Sequence, residues 1–430
     1  MIFFNRLCTA LKWRFNAWFY RPYVFPYLIS VRHLLYVRKL KKKNVVNVVF
    51  LPMNVAMWKC QHLYDLLKKD SRFRLFVFLA PARTYSYETR CSNLQEMRTF
   101  FTEHNVPYID YELEKGEYPI EIRSIVDPDI LFYAQPYDTA IDEALQFMQF
   151  KDKLLCYIPY GFSTRDHHHY NQNMLYFRLA WKLYYQISEN KELAKKHSYN
   201  RGRNGVVVGY SSADDYVLPA KVDPWKVKDK RLKRIIWAPH FTIVEGIGFA
   251  QISNFLNIAE LMRSLALSYS NKITIAFKPH PRLYSELVKH PEWGEKRTNE
   301  YYNFWRNGPT TQLETGDFVD LFKGSDAMIH DCGSFTVDYL YFNKPVLYDN
   351  PDVDSAKETA NEAGRKAYDV HYHITCNDDI KRFIDDVVLS GNDPLKQKRE
   401  EYYQNYLLPP NGKTVAQNIY DDMIKSLGLD

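Results

Sequence analysis

The sequence predicts an α/β protein of two doubly wound, Rossmann-like domains facing across a cleft, preceded by a basic aromatic N-terminal arm. Three observations predict it. From Asn44 onward, short apolar runs rich in β-branched residues alternate with helix-length stretches, the pattern of parallel sheets whose crossovers are helices. The 430 residues exceed the roughly 250–300 that one hydrophobic core holds. A polar, lysine-rich stretch from Val222 to Lys233 interrupts the alternation before a second series begins. The expected division is an arm at 1–43, domains at 44–225 and 226–400, and a helical segment at 401–430 that crosses back to the first domain.

The arm carries ten Lys or Arg and no acid, so the net charge of +6 belongs to it and the remaining chain is net acidic. Its cations interleave with Phe3, Phe4, Trp13, Phe15, Trp18, Phe19, Tyr20, Tyr23, Phe25 and Tyr27 and end in Arg38-Lys39-Leu40-Lys41-Lys42-Lys43. Rings at the headgroup level and lysines against lipid charge suit an anionic membrane surface; the alternative is a helix whose aromatic face packs on the body of the protein. Nothing downstream resembles a nucleic-acid module. No run of about 18 residues is apolar enough to span a bilayer, and no small-residue cleavage site follows the N-terminus. The expected location is the cytoplasmic face of the membrane, held peripherally. Cys8, Cys60, Cys91, Cys156, Cys332 and Cys376 show no paired spacing, which fits a reduced compartment.

In the first domain the strands are expected at Val45–Leu51, Arg74–Leu79, Val106–Ile109, Asp129–Tyr133, Leu154–Ile158 and Gly205–Gly209, with helices at Trp58–Leu67, Leu94–His104 and Thr139–Phe150. In the second they are expected at Arg234–Ala238, Lys272–Phe277, Asp326–Ile329 and Pro345–Tyr348, with helices near Ile252–Tyr269 and Phe335–Phe342. Pro394–Leu427 reads as helical apart from Pro409-Pro410-Asn411-Gly412.

Three strands of the second series run straight into histidines: His240, His280 and His330. Ligands bind outside the carboxyl ends of a parallel sheet, so three strand-end imidazoles are expected to converge on one crevice. His330 opens the turn Asp331-Cys332-Gly333-Ser334-Phe335, and a helix follows. The first amides of such a helix point outward unpaired, Gly333 removes the Cβ that blocks close approach, and Ser334 adds a hydroxyl, so a phosphate would sit there.

Ala238-Pro239-His240, Phe277-Lys278-Pro279-His280-Pro281-Arg282-Leu283, Ser325-Asp326-Ala327-Met328-Ile329-His330-Asp331-Cys332-Gly333-Ser334-Phe335, Asp338-Tyr339 and Lys344-Pro345-Val346, in this order, resemble the CDP-glycerol glycerophosphotransferase family, which includes teichoic-acid primases and polymerases and capsule-cluster enzymes. The resemblance covers mainly residues 205–350. It implies a GT-B architecture and a reaction in which an acceptor hydroxyl attacks the β-phosphorus of a CDP-polyol and CMP leaves. It implies that His280 acts in catalysis, that Gly333, Ser334 and Phe335 hold the diphosphate, and that Lys278 or Arg282 neutralises it. His240 and His330 would line the same site, Asp331 would orient His280 or His330, and Asp338 would accept from ribose or glycerol hydroxyls. Partners implied are a CDP-polyol donor and a glycan or lipid-linked acceptor; no cofactor is certain, and a divalent cation is compatible with the chemistry.

The family commonly has a His-Gly-Thr loop after a strand of its first domain, whereas here Leu154–Ile158 leads into Pro159-Tyr160-Gly161-Phe162-Ser163-Thr164. Tyr160 stands in the place of the candidate base, with Gly161 and Ser163 beside it as substrate-binding positions. A tyrosine with a pKa of about 10 is a poor base unless a cation lowers it. The His167-His168-His169 run and Asp166 are alternative bases, or a solvated loop. Two competing readings remain: a metal-dependent hydrolase that uses the strand-end histidines, against which no HxH, HxxxH or HExxH spacing occurs there, and a nucleotide-binding protein without catalysis.

Overall fold

The computed structural model describes residues 12, 20, 23–118, 121–165, 172–244 and 253–429. Among them, twelve strands form two six-stranded sheets, parallel throughout. The described residues divide into two compact units, one of residues up to 161, 172–214 and 409–429, the other of 162–165 and 215–408.

The first sheet runs β2-β1-β3-β4-β5-β6, with β1 at Val46–Phe50, β2 at Phe73–Val77, β3 at Ile130–Tyr133, β4 at Leu154–Tyr157, β5 at Lys182–Tyr185 and β6 at Gly205–Val207. β1 and β3 are near-continuously apolar and buried, as strands covered on both faces must be. Two expectations fail here. Val106–Ile109 is extended chain at the edge, with only Ile109 bridging Phe78, because Pro107 has no N–H to give a ladder. Thr139–Phe150 is three short 3₁₀ turns, because Asp142 caps Ala144 N–H (2.8 Å), Asp138 captures Phe147 N–H (2.9 Å), and Tyr133 Oη takes the Leu145 carbonyl (2.8 Å).

The Phe25–Leu40 helix belongs to this unit and buries Ile29, His33, Val37 and Leu40. Behind it, Tyr36 Oη (2.9 Å) and Lys43 Nζ (2.7 Å) both bind the fully buried Asp129 carboxylate. Most of the aromatic arm before it lies outside the described residues.

The second sheet runs β12-β11-β10-β7-β8-β9, with β7 at Lys233–Ala238, β8 at Ile273–Phe277, β9 at Thr311–Leu313, β10 at Ala327–His330, β11 at Val346–Tyr348 and β12 at Tyr372–His373. Side chains alternate between two cores. Ile235, Trp237, Ile275, Phe277 and Ile329 pack with the Phe255–Ser268 and Gly294–Asn307 helices, while Ile236, Ala238, Ala276, Met328 and Val346 pack with Phe322, Val337, Tyr339 and Tyr402 on the other face. Trp237 stacks on Phe255 with ring centroids 5.6 Å apart.

The lysine-rich stretch is no linker, which moves the boundary from 225/226 to 214/215. Trp225 is fully buried and its indole N–H reaches Leu321 O (3.2 Å), while the Lys221 and Val222 amides each bind Asp320 (3.0 Å). The C-terminal helix, Val415–Leu427, forms part of the first unit: Asp214 accepts from the Val415 and Ala416 amides at 2.8 Å each, an anionic cap on the positive helix end.

Candidate active site

Counted within its own unit, the second sheet has the strand order 6-5-4-1-2-3, and the winding reverses between β7 and β10. Outside the carboxyl ends of those two strands lies the switch point, where sheets of this winding take nucleotides. Asp331, fully buried at the end of β10, ties the two strands together there. Its Oδ1 accepts from His240 N–H (2.5 Å) and its Oδ2 from Asn254 N–H (2.8 Å). Asn254 in turn donates through Nδ2 to the Asp349 carbonyl (2.7 Å).

His240 and His280 meet, with ring centroids 4.9 Å apart and planes at 63°. Both border Phe241, on whose face the Arg282 guanidinium lies 4.0 Å from the ring centre. The His280 amide donates to Pro239 O (3.0 Å), which ties the two loops together. Burial first, then His280, Arg165 and Arg282, hold the His240 pKa down to about 3; burial and Arg282 hold His280 to about 4. Both rings are therefore neutral at physiological pH. The Arg282 N–H donates to His280 Nδ1 (3.1 Å), so that neutral ring keeps its proton on Nε2, while His240 Nδ1 meets the Thr242 hydroxyl (2.9 Å) and the Thr242 N–H (3.4 Å). His280 thereby offers an Nε2–H donor to an anion.

The third histidine does not join them. His330 is fully buried, its Nδ1 bonds the Cys332 carbonyl (3.0 Å), and its ring packs edge-on to Tyr348 (5.8 Å) and His371 (5.4 Å). It is the last residue of β10, and its side chain is covered by these neighbours. Nor does Asp331 orient an imidazole ring: it holds the His240 backbone.

The Gly-Ser turn also departs from expectation. The helix at Phe335–Asp338 is four residues long before it tightens to 3₁₀, so its dipole is small. Ser334 is exposed, Gly333 faces open space, and the Phe335 amide is taken by Cys332 O (3.1 Å). The Phe335 ring packs on Phe318 (5.2 Å) and Phe322 (5.0 Å), half-buried against the core. Asp338 is buried. Lys278 is turned inward, its Nζ on the Gly316 carbonyl (2.7 Å) and near the Phe318 ring, and burial lowers its pKa. Of the two expected cations, Arg282 alone stands at the imidazole pair.

In the first unit, burial, Tyr85 and Tyr137 raise the Tyr160 pKa above the ordinary tyrosine value, the opposite of what a base needs. The Gly161 carbonyl accepts from Gln186 (2.7 Å). Ser163 lies in the second unit, its carbonyl bonded by Asn361 Nδ2 (2.8 Å). Asp166 and His167–His169 lie outside the described residues. Among the described residues no group of three His, Cys, Asp or Glu side chains is placed to hold a metal ion, so the hydrolase reading has no ligand set there.

Sequence reasoning missed Asn254 and Asp349. Asp349 follows β11 and was open to the same strand-end logic; its carboxyl is buried, and burial together with Asp331 pushes its pKa well up. Asn254 carries no local signal.

Residues 160–362 match the family described as CDP-Glycerol:Poly(glycerophosphate) glycerophosphotransferase. This segment belongs to that family. The glycerophosphotransferase segment contains the histidine pair, Asp331 and the Gly-Ser turn. Among solved structures, the wall teichoic acid polymerase TagF matches at 14% identity over 99% of this chain and 98% of that one, with a TM-score of 0.59. A TagF variant soaked with CDPG matches at 13% identity over the same shares, also at 0.59. UDP-GlcNAc 2-epimerase from Neisseria meningitidis bound to UDP-GlcNAc matches at 13% over 88% of this chain and 99% of that one, at 0.55. At such identities the likeness establishes the fold, which is of the GT-B class. Among curated proteins none matches in sequence.

Proposed function

We propose that the protein transfers glycerol phosphate from CDP-glycerol to a hydroxyl of a cell-surface glycan or lipid-linked acceptor and releases CMP. The observation that carries this reading is the neutral His240–His280 pair beside Arg282, with the His280 proton on Nε2, at the switch point of a glycerophosphotransferase-family segment. The acceptor oxygen bonds to the β-phosphorus as the bridging oxygen leaves with CMP, and the acceptor proton goes to a base or to water. In such a transfer the protein contributes mainly position and charge stabilisation. His280, whose proton sits on Nε2, donates to the leaving phosphate, and Arg282 offsets its charge. Tyr160, with its raised pKa, is a poor proton acceptor, so this role falls elsewhere.

The acceptor is lipid-linked in this reading, and the protein lies peripherally on the cytoplasmic face of the membrane through residues 1–43. Among the described residues no helix is long and apolar enough to cross a bilayer. The Phe25–Leu40 helix supports surface attachment: opposite its buried side it exposes Tyr27, Leu28, Leu34 and Leu35, followed by the exposed Arg38, Lys39, Lys41 and Lys42.

Thermal shift with CDP-glycerol, CDP-ribitol and UDP-sugars tests the donor. CDP-glycerol should raise the melting temperature of the wild type and much less that of His280→Ala, and CMP should appear when acceptor is added. Stabilisation by a UDP-sugar alone would overturn the reading.

A further inference from the structure

The first sheet has a switch point of its own. Its order β2-β1-β3-β4-β5-β6 reverses between β1 and β3, and parallel sheets take ligands outside the carboxyl ends of their strands at such a reversal. The loops leaving those ends carry three tyrosines. Tyr85 follows β2, Tyr137 follows β3 and Tyr160 follows β4, and they are 43%, 53% and 49% exposed. A single exposed aromatic residue is ordinary, whereas several at one rim mark a contact surface. The backbone beneath them is fixed by buried amides. Gln135 donates through Nε2 to Tyr137 O (2.9 Å) and accepts through Oε1 from the Tyr137 N–H (2.8 Å), and Gln186 donates to Gly161 O (2.7 Å), next to Tyr160. The Arg83 N–H donates to Ala140 O (2.9 Å), which ties the Tyr85 loop to the Tyr137 loop, and the Ile158 N–H donates to Tyr133 O (3.0 Å) between the stems of the other two.

Charge decides the kind of ligand. The strand-end loops 51–58, 78–86, 134–143, 158–161, 186–187 and 208–212 contain a single Lys or Arg, Arg83, and it is paired with Glu143 (3.4 Å). Asp138 and Asp142 add negative charge. A polyol-phosphate chain carries an anion in every unit and needs cations along its path. A neutral sugar needs none, since tyrosine rings cover its C–H faces and their hydroxyls bond its hydroxyls, at a low cost in side-chain freedom. We infer that Tyr85, Tyr137 and Tyr160 form an acceptor platform on the first unit, and that the acceptor presents an uncharged saccharide to it rather than a growing polyol-phosphate chain. The inference rests on the proposed transferase reading and names its acceptor class. A hydroxyl oxygen of the sugar forms the bond to the β-phosphorus, its proton goes to a base or to water, and the bond from phosphorus to the CMP oxygen breaks.

The probes are the methyl glycosides of glucose, galactose and N-acetylglucosamine, with synthetic poly(glycerol phosphate) as the charged alternative. Saturation-transfer NMR on the full-length protein should show a glycoside bound, and the signal should fall when Tyr85→Ala and Tyr137→Ala are combined. With CDP-glycerol present, that glycoside should drive CMP release; the double variant should raise its KM at least about tenfold and leave the KM for CDP-glycerol unchanged. Tyr160→Phe, which keeps the ring and loses the hydroxyl, should use the glycoside as the wild type does, and Tyr160→Ala should use it poorly. All three side chains are exposed, so the variants should keep the wild-type melting temperature. No saturation transfer to any glycoside, or transfer unaltered in both the double variant and Tyr160→Ala, would overturn the inference, as would CMP release with poly(glycerol phosphate) alone; CDP-glycerol bound by the wild type would leave the donor reading standing. A wild type that binds no CDP-glycerol would overturn the donor reading, and the glycoside spectra would still decide the platform.

Discussion

At the scale of single residues, the two partnered histidines and the isolated one differ by what meets their ring nitrogens. His280 has Nδ1 filled by the Arg282 backbone N–H, and His240 has Nδ1 on the hydroxyl and N–H of Thr242; the two rings meet each other at the strand ends. His330 has Nδ1 on a carbonyl and its ring sealed in the core, where burial holds its pKa to about 3. Unfolded, it takes a proton near 6.5. Between those values the unfolded chain binds the extra proton, so the stability His330 contributes is full above about pH 6.5 and lost as pH falls toward 3. At pH 5 the loss is about 2 kcal/mol. His330→Gln should therefore melt lower than wild type at pH 7 yet fall less between pH 7 and pH 5. Asp331 and Asp349 titrate with the opposite sign but are common to both proteins, so they cancel in the comparison. Parallel melting curves against pH would refute the assignment.

At the scale of elements, the Phe25–Leu40 helix serves two environments. Ile29, His33, Val37 and Leu40 face the first unit, so the helix is held whether or not a membrane is present. Tyr27, Leu28, Leu34 and Leu35 are left over. Returning a leucine from lipid to water costs about 1.5–3 kcal/mol, and each lysine near an anionic surface is worth about 1 kcal/mol. Leu34→Ser with Leu35→Ser should cut sedimentation with phosphatidylglycerol-containing vesicles at least about tenfold and leave the melting temperature unchanged. Lys41→Gln with Lys42→Gln should weaken binding most at low salt. Unaltered sedimentation of the leucine variant would show that this face is not the contact.

At the scale of the whole molecule, chain order and unit membership part company. The last helix returns to the first unit, and Asp214 receives its first two amides. Asp214→Ala removes the acceptor for two buried amides, which should cost about 2–4 kcal/mol and raise amide exchange across Val415–Leu427 before the second unit is affected. Equal exchange in wild type and variant would mean the cap contributes little.

The sequence by itself determined the parallel α/β class, two units and the strand-end placement of His240 and His280, because strand period, β-branched runs and the residues after each strand are local facts. Pro107 against a strand at Val106–Ile109 was equally open to inspection. Only the tertiary structure decided that His330 turns into the core, that Lys278 bonds Gly316, that Asp331 holds a backbone amide, and that Ser163 is held by Asn361. Each of these depends on a partner distant in the chain: 38 positions separate Lys278 from Gly316, 91 separate His240 from Asp331 and 198 separate Ser163 from Asn361. A local pattern can say which side chains reach a strand end, but the side to which each one turns is set by the groups packed against it.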